Sequence, residues 1–389
     1  MPAGRSYDIV VFGATGFTGG LTAEYLARSA PANLRWALAG RNAAKLEAVR
    51  DRLKSINAAC GSLALLSADS GDPDSLKRVA ASARCVITTV GPYILHGEPL
   101  VAACASAGTD YVDLTGEPEF VDLMWLRYHK QAQQTGARIV HCCGFDSIPH
   151  DLGAYFTVQQ LPENTPIKLE GFVRAGGTFS AGTYHSAVNA MGRARLYMRT
   201  RKERQAREER PAGRVIGSLK ASVHFDRELK TWVVPFPTID PQVVRRSAAA
   251  LDRYGPDFRY AHYVQVKRLA SVAGLIGGVG TLFALAQLKP TRNWLLSMKT
   301  SGEGPTPEQR AKAWFRVRFV GEGGGKRVVT EVTGGDPGYG ETSKMLAESA
   351  LCLAFDDLPK RSGQLTPATA MGNALIERLK KNGIKFAIV

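Results

Sequence analysis

The sequence predicts an α/β fold, with a doubly wound parallel sheet first and a second α+β domain containing a mixed sheet after it. Three observations carry this. From residue 7 to 140, strand-length apolar runs alternate with helical patterns at βα spacing. The first of these runs ends in glycines spaced G-x-x-G-x-x-G. Beyond about residue 160 the pattern turns to strand-like alternation broken by Pro/Gly-rich connections.

The first strand, Tyr7-Asp8-Ile9-Val10-Val11-Phe12, runs into Gly13-Ala14-Thr15-Gly16-Phe17-Thr18-Gly19 and then a helical pattern at Leu21, Tyr25 and Leu26. Glycine allows the tight turn, lets backbone approach a pyrophosphate, and lets the helix pack closely on the strand. The free N–H groups of the helix start then face the phosphates. This is the pattern of a Rossmann-type nucleotide site, with Gly13, Thr15, Gly16, Phe17, Thr18 and Gly19 as cofactor contacts; a plain βα turn is the alternative.

The second strand, Leu34–Ala39, ends in Gly40-Arg41-Asn42. NAD-binding chains often place an acid here to accept from the ribose 2′-hydroxyl. Arg41 instead suits a 2′-phosphate, and Lys45 lies one turn into the next helix, so NADPH is preferred over NADH. The third strand, Leu63–Leu66, leads to Asp69, placed to touch the adenine.

The fourth strand, Cys85–Val90, ends in Gly91-Pro92-Tyr93, and Val90, Gly91 and Pro92 are expected as backbone contacts to the cofactor. There follow a helix over Pro99–Ala107, a strand at Tyr111–Leu114 closed by Thr115-Gly116-Glu117, and a helix over Pro118–Thr135. The strand Arg138–Cys143 ends in Gly144-Phe145-Asp146-Ser147-Ile148-Pro149-His150-Asp151. Ligands of such sheets lie beyond the carboxyl ends of the strands. Nicotinamide and substrate should therefore meet at the segments after Val90 and Cys143.

Farther on, strands are expected at Lys168–Arg174, Ser218–His224, Trp314–Phe319 and Lys326–Val332. A helix from Thr183 carries Tyr184, Val188 and Met191 and continues into Arg193–Arg210, where eight Lys/Arg face Glu203, Glu208 and Glu209. A solvated face and a docking patch for an acidic partner both fit that cluster. Gly302–Pro307 marks a turn, Asp336–Gly340 precedes a helix over Thr342–Phe355, and the tail is helical over Pro367–Asn382 before a short strand from Gly383-Ile384.

Leu269–Leu288 contains no charged residue and is flanked by Lys267, Arg268, Lys289 and Arg292. Its length just spans a bilayer, but Gly274, Gly277, Gly278 and Gly280 dilute it. Three readings are open: a buried or dimer-interface hairpin, a peripheral membrane contact at an anionic face, and a true span.

At 389 residues the chain has core enough for two domains. A net charge of +15 favours anionic partners, while nucleic acid is not expected without a recognition motif or stacking platform. The six cysteines form no C-x-x-C pair and no ligand spacing, pointing to reduced core thiols, a cytoplasmic location and no metal site. With six residues before the first strand, no signal peptide is expected.

Taken together, Gly13–Gly19, Gly40-Arg41, Thr88–Tyr93, Ala107–Glu117 and Cys143–Pro149 resemble the saccharopine dehydrogenase-like oxidoreductases, and most of all the branch named trans-acting enoyl reductases, known from mycobacterial lipid assembly. The resemblance runs nearly end to end, through Gly176-Gly177-Thr178 with Gly182-Thr183, Gly302–Pro305, Gly335–Tyr339 and Leu365–Gly372. It implies an NADP-binding domain over 1–155, a substrate and dimerisation domain over 156–339, a C-terminal segment 340–389 returning to the first, and a homodimer.

The branch is held to reduce a carbon–carbon double bond on an acyl thioester, which an acidic carrier protein could present to Arg193–Arg210. The alternatives are a saccharopine-type or imine dehydrogenase acting at a C–N bond, and a non-catalytic membrane-associated nucleotide-binding protein. For enoyl reduction Tyr93 is the first candidate donor to the enolate oxygen, and Asp146 and His150 are candidates for proton supply. Each has a plainer role: Tyr93 packing on the cofactor, Asp146 capping the next helix, His150 in solvent. The expected location is cytoplasmic, with a peripheral position at the inner face of the cell membrane if 269–288 meets lipid.

Overall fold

A computed structural model describes residues 4–177, 181–298 and 304–389, apart from the side chains of 181 and 183. Its first sheet has seven strands, all parallel: β1 (Tyr7–Phe12), β2 (Trp36–Gly40), β3 (Ala64–Ser67), β4 (Ala83–Thr88), β5 (Asp110–Val112), β6 (Arg138–Val140) and, from the end of the chain, β14 (Gly363–Leu365). Their order is β14-β6-β5-β4-β1-β2-β3, so the order reverses between β4 and β1. The connecting helices are α1 (Phe17–Ser29), α2 (Ala43–Ile56), α3 (Pro73–Ser82), α4 (Tyr93–His96), α5 (Glu98–Ala107) and α6 (Pro118–Thr135), with α7 (Ile148–Val158) leaving the sheet.

The sequence explains this sheet locally. Every residue of β2 is buried, as a parallel strand covered on both faces requires. Asn42 and Asp72 accept from the first free N–H groups of α2 and α3, with Pro73 opening α3.

The second sheet is mixed. It contains β7 (Ile167–Gly176), β8 (Val215–Ser218), β9 (His224–Asp226), β10 (Thr231–Pro235), β11 (Asp257–Val266), β12 (Trp314–Gly323), β13 (Lys326–Gly334) and β15 (Lys385–Ile388). The order is β15-β13-β12-β7-β11-β10-β9, with β8 beside β11. Around it lie α8 (Ala181–Gly192), α9 (Ala194–Arg207), α10 (Asp240–Ala250), α11 (Leu269–Ala286), α12 (Lys289–Ser297) and α13 (Pro307–Ala311). The chain closes with α14 (Gly340–Phe355), α15 (Pro367–Ala370) and α16 (Gly372–Lys381). Tyr25 of α1 donates to Glu348 of α14 at 2.7 Å, and one continuous core links Ile9 and Leu38 with Leu152, Phe319 and Leu346.

Four expectations change. Ser218–His224 is not one strand: β8 ends where it should begin, and β9 starts at its last residue. β10 and β11 were not anticipated. The helix from Thr183 does not run on into the basic cluster. It stops at Gly192, where a Cβ would lie 2.8 Å from the Ala286 carbonyl, and Arg193 turns out of helical geometry to pair with Glu119. Leu269–Ala286 is a single helix rather than a hairpin, and only Val272 and Ala286 in it are buried, so the buried reading fails within this chain. The described part of the turn 302–307 opens α13 through a capping box between Thr306 and Gln309; Gly302 and Glu303 lie outside the described residues, as does Thr178.

Candidate active site

The turn after β1 is built for close approach. Gly13 has φ +90°, and a Cβ there would meet Thr89 Oγ1 and Val90 Cγ2, each at 2.8 Å. A Cβ on Gly19 would lie 2.2 Å from the Gly13 carbonyl oxygen, which holds α1 tight on the turn. Gly16, the residue before α1, is exposed, with Thr15 beside it, so the open helix start faces solvent at the sheet's point of reversal. Phe17 packs edge-on against Tyr339, and the Thr18 carbonyl accepts from Ser343, so the end of the chain braces the turn.

Arg41 stands at the end of β2, fully in reach of solvent, with Asp69 Oδ2 3.9 Å from its Nε. The ends of β1, β2 and β3 are joined here: Gly13 N–H donates to Ala39 and Ala68 N–H to Gly40. Lys45 is also exposed, its N–H bound by the Asn42 cap. Asp69 orders its own turn by accepting from Gly71 N–H at 2.8 Å. A phosphorylated ribose fits this arrangement, because the glycine cradle is open where a Cβ would close it and an exposed guanidinium stands at the neighbouring strand end.

Past β4, Val90 N–H donates to Thr88 Oγ1 and the half-buried Val90 leads into Gly91 and Pro92. Tyr93 does not face the crevice. Its side chain is buried, its hydroxyl donates to the Thr88 carbonyl at 3.1 Å, and its N–H donates to Glu117. Burial pushes this phenol well above its usual range. A tyrosine tied to the strand end in this way cannot serve as the expected donor to an enolate, and that expectation is corrected. Glu117 also accepts from Ile94 N–H and from the Ser186 hydroxyl, linking the loop after β4 to α8.

The segment after β6 is held from two sides. Asp113 accepts from Cys142 N–H, Thr115 N–H and Tyr111, and pairs with His141 Nδ1 at 2.6 Å, so it organises the loop. Phe145 N–H donates to Thr342 of α14. Asp146 follows, half-buried, with its Oδ2 3.3 Å from where a Cβ on Gly116 would stand. Its carboxyl finds no hydrogen-bond partner among the described residues and caps no helix, since Ser147 occupies that position. Burial, reinforced by the charge of Asp240, raises Asp146 to about 7.

His150 is buried rather than in solvent. Its Nδ1 lies 3.0 Å from the Phe145 carbonyl and 3.4 Å from Asp240 Oδ1. Asp240, at the start of α10, also accepts from Thr238 and lies 3.8 Å from His262 Nε2 on β11. The other nitrogen of His262 meets the Tyr260 hydroxyl at 2.9 Å. Burial lowers both histidines, His262 to about 3, so neutral rings surround the Asp240 charge. Asp240 and His262 were missed by sequence reading, because nothing in a linear pattern joins positions so far apart. The three side chains offer ligand atoms within 4.8 Å of one another, a set the residue spacing did not reveal. His150 Nδ1 is held by the Phe145 carbonyl and Asp240 Oδ2 by Thr238, while Asp240 Oδ1 and His262 Nε2 have no hydrogen-bond partner among the described residues.

The basic segment is largely structural at its inner face. Arg193 pairs with Glu119, and the buried Arg204 pairs with Asp122 and Glu208. Arg195, Arg199, Lys202 and Arg210 remain exposed.

Comparison with known proteins supplies the family. Residues 9–140 match the saccharopine dehydrogenase NADP binding domain. A Mycobacterium tuberculosis protein provisionally named trans-acting enoyl reductase is 40% identical, over 98% of this chain and 97% of its own. A Mycobacterium ulcerans trans-acting enoyl reductase is 36% identical over 98% and 97%, and the human saccharopine dehydrogenase-like oxidoreductase is 33% identical over 99% and 98%. Yeast saccharopine dehydrogenase shares the fold, with a TM-score of 0.57 at 13% identity over 98% of this chain and 100% of that one. The chain belongs to the saccharopine dehydrogenase-like oxidoreductases, and its first sheet is the NADP-binding domain of that family.

Proposed function

We propose that the protein is an NADPH-dependent enoyl reductase that acts on an apolar acyl thioester. The observation that carries this reading is Asp146, a carboxyl beyond β6 with no hydrogen-bond partner among the described residues, which burial beside Asp240 raises to about 7. The two mycobacterial relatives named as trans-acting enoyl reductases support it over nearly the full chain.

The nicotinamide nucleotide, when bound, supplies the hydride. Gly13, Gly16 and Gly19 would admit its pyrophosphate to the backbone, Arg41 would hold the 2′-phosphate, and Val90, Gly91 and Pro92 would line the approach to the ring. When the β-carbon gains hydride, the π-electron pair moves to the thioester oxygen. Asp146 then gives its proton to the α-carbon and is left as carboxylate. Asp240, already ionised beside neutral His150 and His262, disfavours that carboxylate, so Asp146 takes a proton back from solvent and regains its acid form.

The test is NADPH oxidation with a panel of 2-enoyl thioesters of increasing chain length, set beside a panel of 2-oxo acids with amines. Turnover confined to the enoyl panel is expected. Turnover on the amine panel alone moves the assignment to C–N chemistry, and nucleotide binding with no turnover on either removes the enzymatic reading.

A further inference from the structure

α11 has the composition of a membrane segment, yet the protein leaves it on its surface. Its mean hydropathy is 1.9 and only 11% of it is buried. The inward side packs through Val272, Leu282, Leu285 and Ala286. The side next to it exposes Leu269, Ile276, Val279 and Phe283, and Trp294 of α12 with Met298 just after it adds two more exposed apolar side chains. A Cβ on Gly274, Gly277, Gly278 or Gly280 would meet nothing within 4 Å. Soluble chains rarely leave so continuous an apolar surface uncovered.

The helix does not cross a bilayer in this arrangement. Its C-terminal end is pinned to α8, where Gln287 donates to the Met191 carbonyl at 2.9 Å. The chain then returns through α12, whose Leu295 carbonyl accepts from Tyr184 at 3.1 Å. Val188, Ala286 and Leu295 form a small core of their own between the three helices. The helix therefore lies along the body of the protein.

Charge decides what covers it. Between Asp257 and Glu303 the sequence has no acidic residue and carries Arg259, Lys267, Arg268, Lys289, Arg292 and Lys299. A second copy of the chain would bring the same basic rim against this one, and the charges would repel. An anionic lipid surface attracts the rim and takes up the apolar face together.

We infer that α11 and α12 form a peripheral docking face for an anionic phospholipid bilayer, on which the protein lies with α11 in the plane of the interface. This inference is independent of the reaction assigned above, since vesicle binding reads it without turnover.

The experiment is co-sedimentation of the whole protein with vesicles of phosphatidylcholine alone and of phosphatidylcholine with phosphatidylglycerol. Binding is expected only to the anionic vesicles, and it should weaken with added salt. Each basic residue near such a surface is worth roughly fivefold in partition, so K267Q/R268Q/K289Q should lower binding about 100-fold and K267E/R268E/K289E by more. I276S/V279S/F283S should abolish binding through the other half of the attraction. NADPH affinity and circular dichroism, unchanged in these variants, establish that they are folded. Equal binding by wild type and the folded variants, or no binding of wild type to anionic vesicles, overturns the inference. So does a wild-type dimer that I276S/V279S/F283S converts to monomer, which would mean that a second copy covers the face.

Discussion

Replacing Asp146 by asparagine keeps the shape of the side chain and removes its proton. With its carboxyl near 7, about half of the wild-type molecules carry the acid form at pH 7; at the ordinary value of 3.8 only about one in 1,600 would. Positioned general acids contribute about 10²–10⁴-fold, so kcat of Asp146→Asn should fall by that amount while the Kd for NADPH holds. In the wild type, kcat should decline as pH rises through about 7, because the carboxylate cannot give a proton. Asp240→Asn removes the repulsion and leaves the burial, so the same decline should begin at lower pH. The assay is single-turnover reduction of an enoyl thioester with saturating NADPH, between about pH 5 and pH 9. Stability gives an independent reading. A carboxyl raised above its unfolded value contributes most below about pH 4 and loses that contribution as pH rises to about 7, so wild type should lose stability relative to Asp146→Asn across this window. Full activity in Asp146→Asn, or a decline unmoved by Asp240→Asn, refutes the role given to this carboxyl.

Other consequences follow from the same geometry. Gly19→Ala forces a methyl group against the Gly13 carbonyl, so it should destabilise by about 1–3 kcal/mol and abolish nucleotide binding, measured by thermal denaturation and calorimetry. His150 Nδ1 is already engaged by the Phe145 carbonyl and Asp240 Oδ2 by Thr238, so chelation should leave activity unchanged; loss of activity restored by zinc would make these residues, with the unpartnered Asp240 Oδ1 and His262 Nε2, a metal site. Reversing Arg195, Arg199 and Lys202 should raise KM for a substrate on an acidic carrier protein and spare its coenzyme A analogue, since these side chains are exposed whereas Arg204 is buried in ion pairs; equal effects on both would remove the docking role.

The first sheet was legible because parallel strands buried on both faces are unbroken apolar runs and the glycine turn has few other uses. The second sheet was harder. β11 carries Arg259 and His262 within its alternation, and β10 is five residues ending in proline, so neither stands out as a strand. Asp146 and His150 could be named because a strand end points at the ligand crevice in this fold. Tyr93 was misjudged by the same rule: its position on the turn is as expected, but its hydroxyl turns inward to the Thr88 carbonyl at the strand end. Asp240 and His262 lay beyond sequence reading, since α10 and β11 bring them to His150 only through tertiary packing. The exposure of α11 was equally hidden, because hydropathy alone does not tell a core helix from a surface one.

Calorimetric titration with NADPH and NADH, on wild type and Arg41→Ala, tests the central assignment most directly. NADPH should bind more tightly than NADH, and Arg41→Ala should erase the difference by weakening NADPH about 10–100-fold, the worth of a charged hydrogen-bonding group. Equal affinity for the two nucleotides in wild type, or an Arg41→Ala protein that still prefers NADPH, contradicts it.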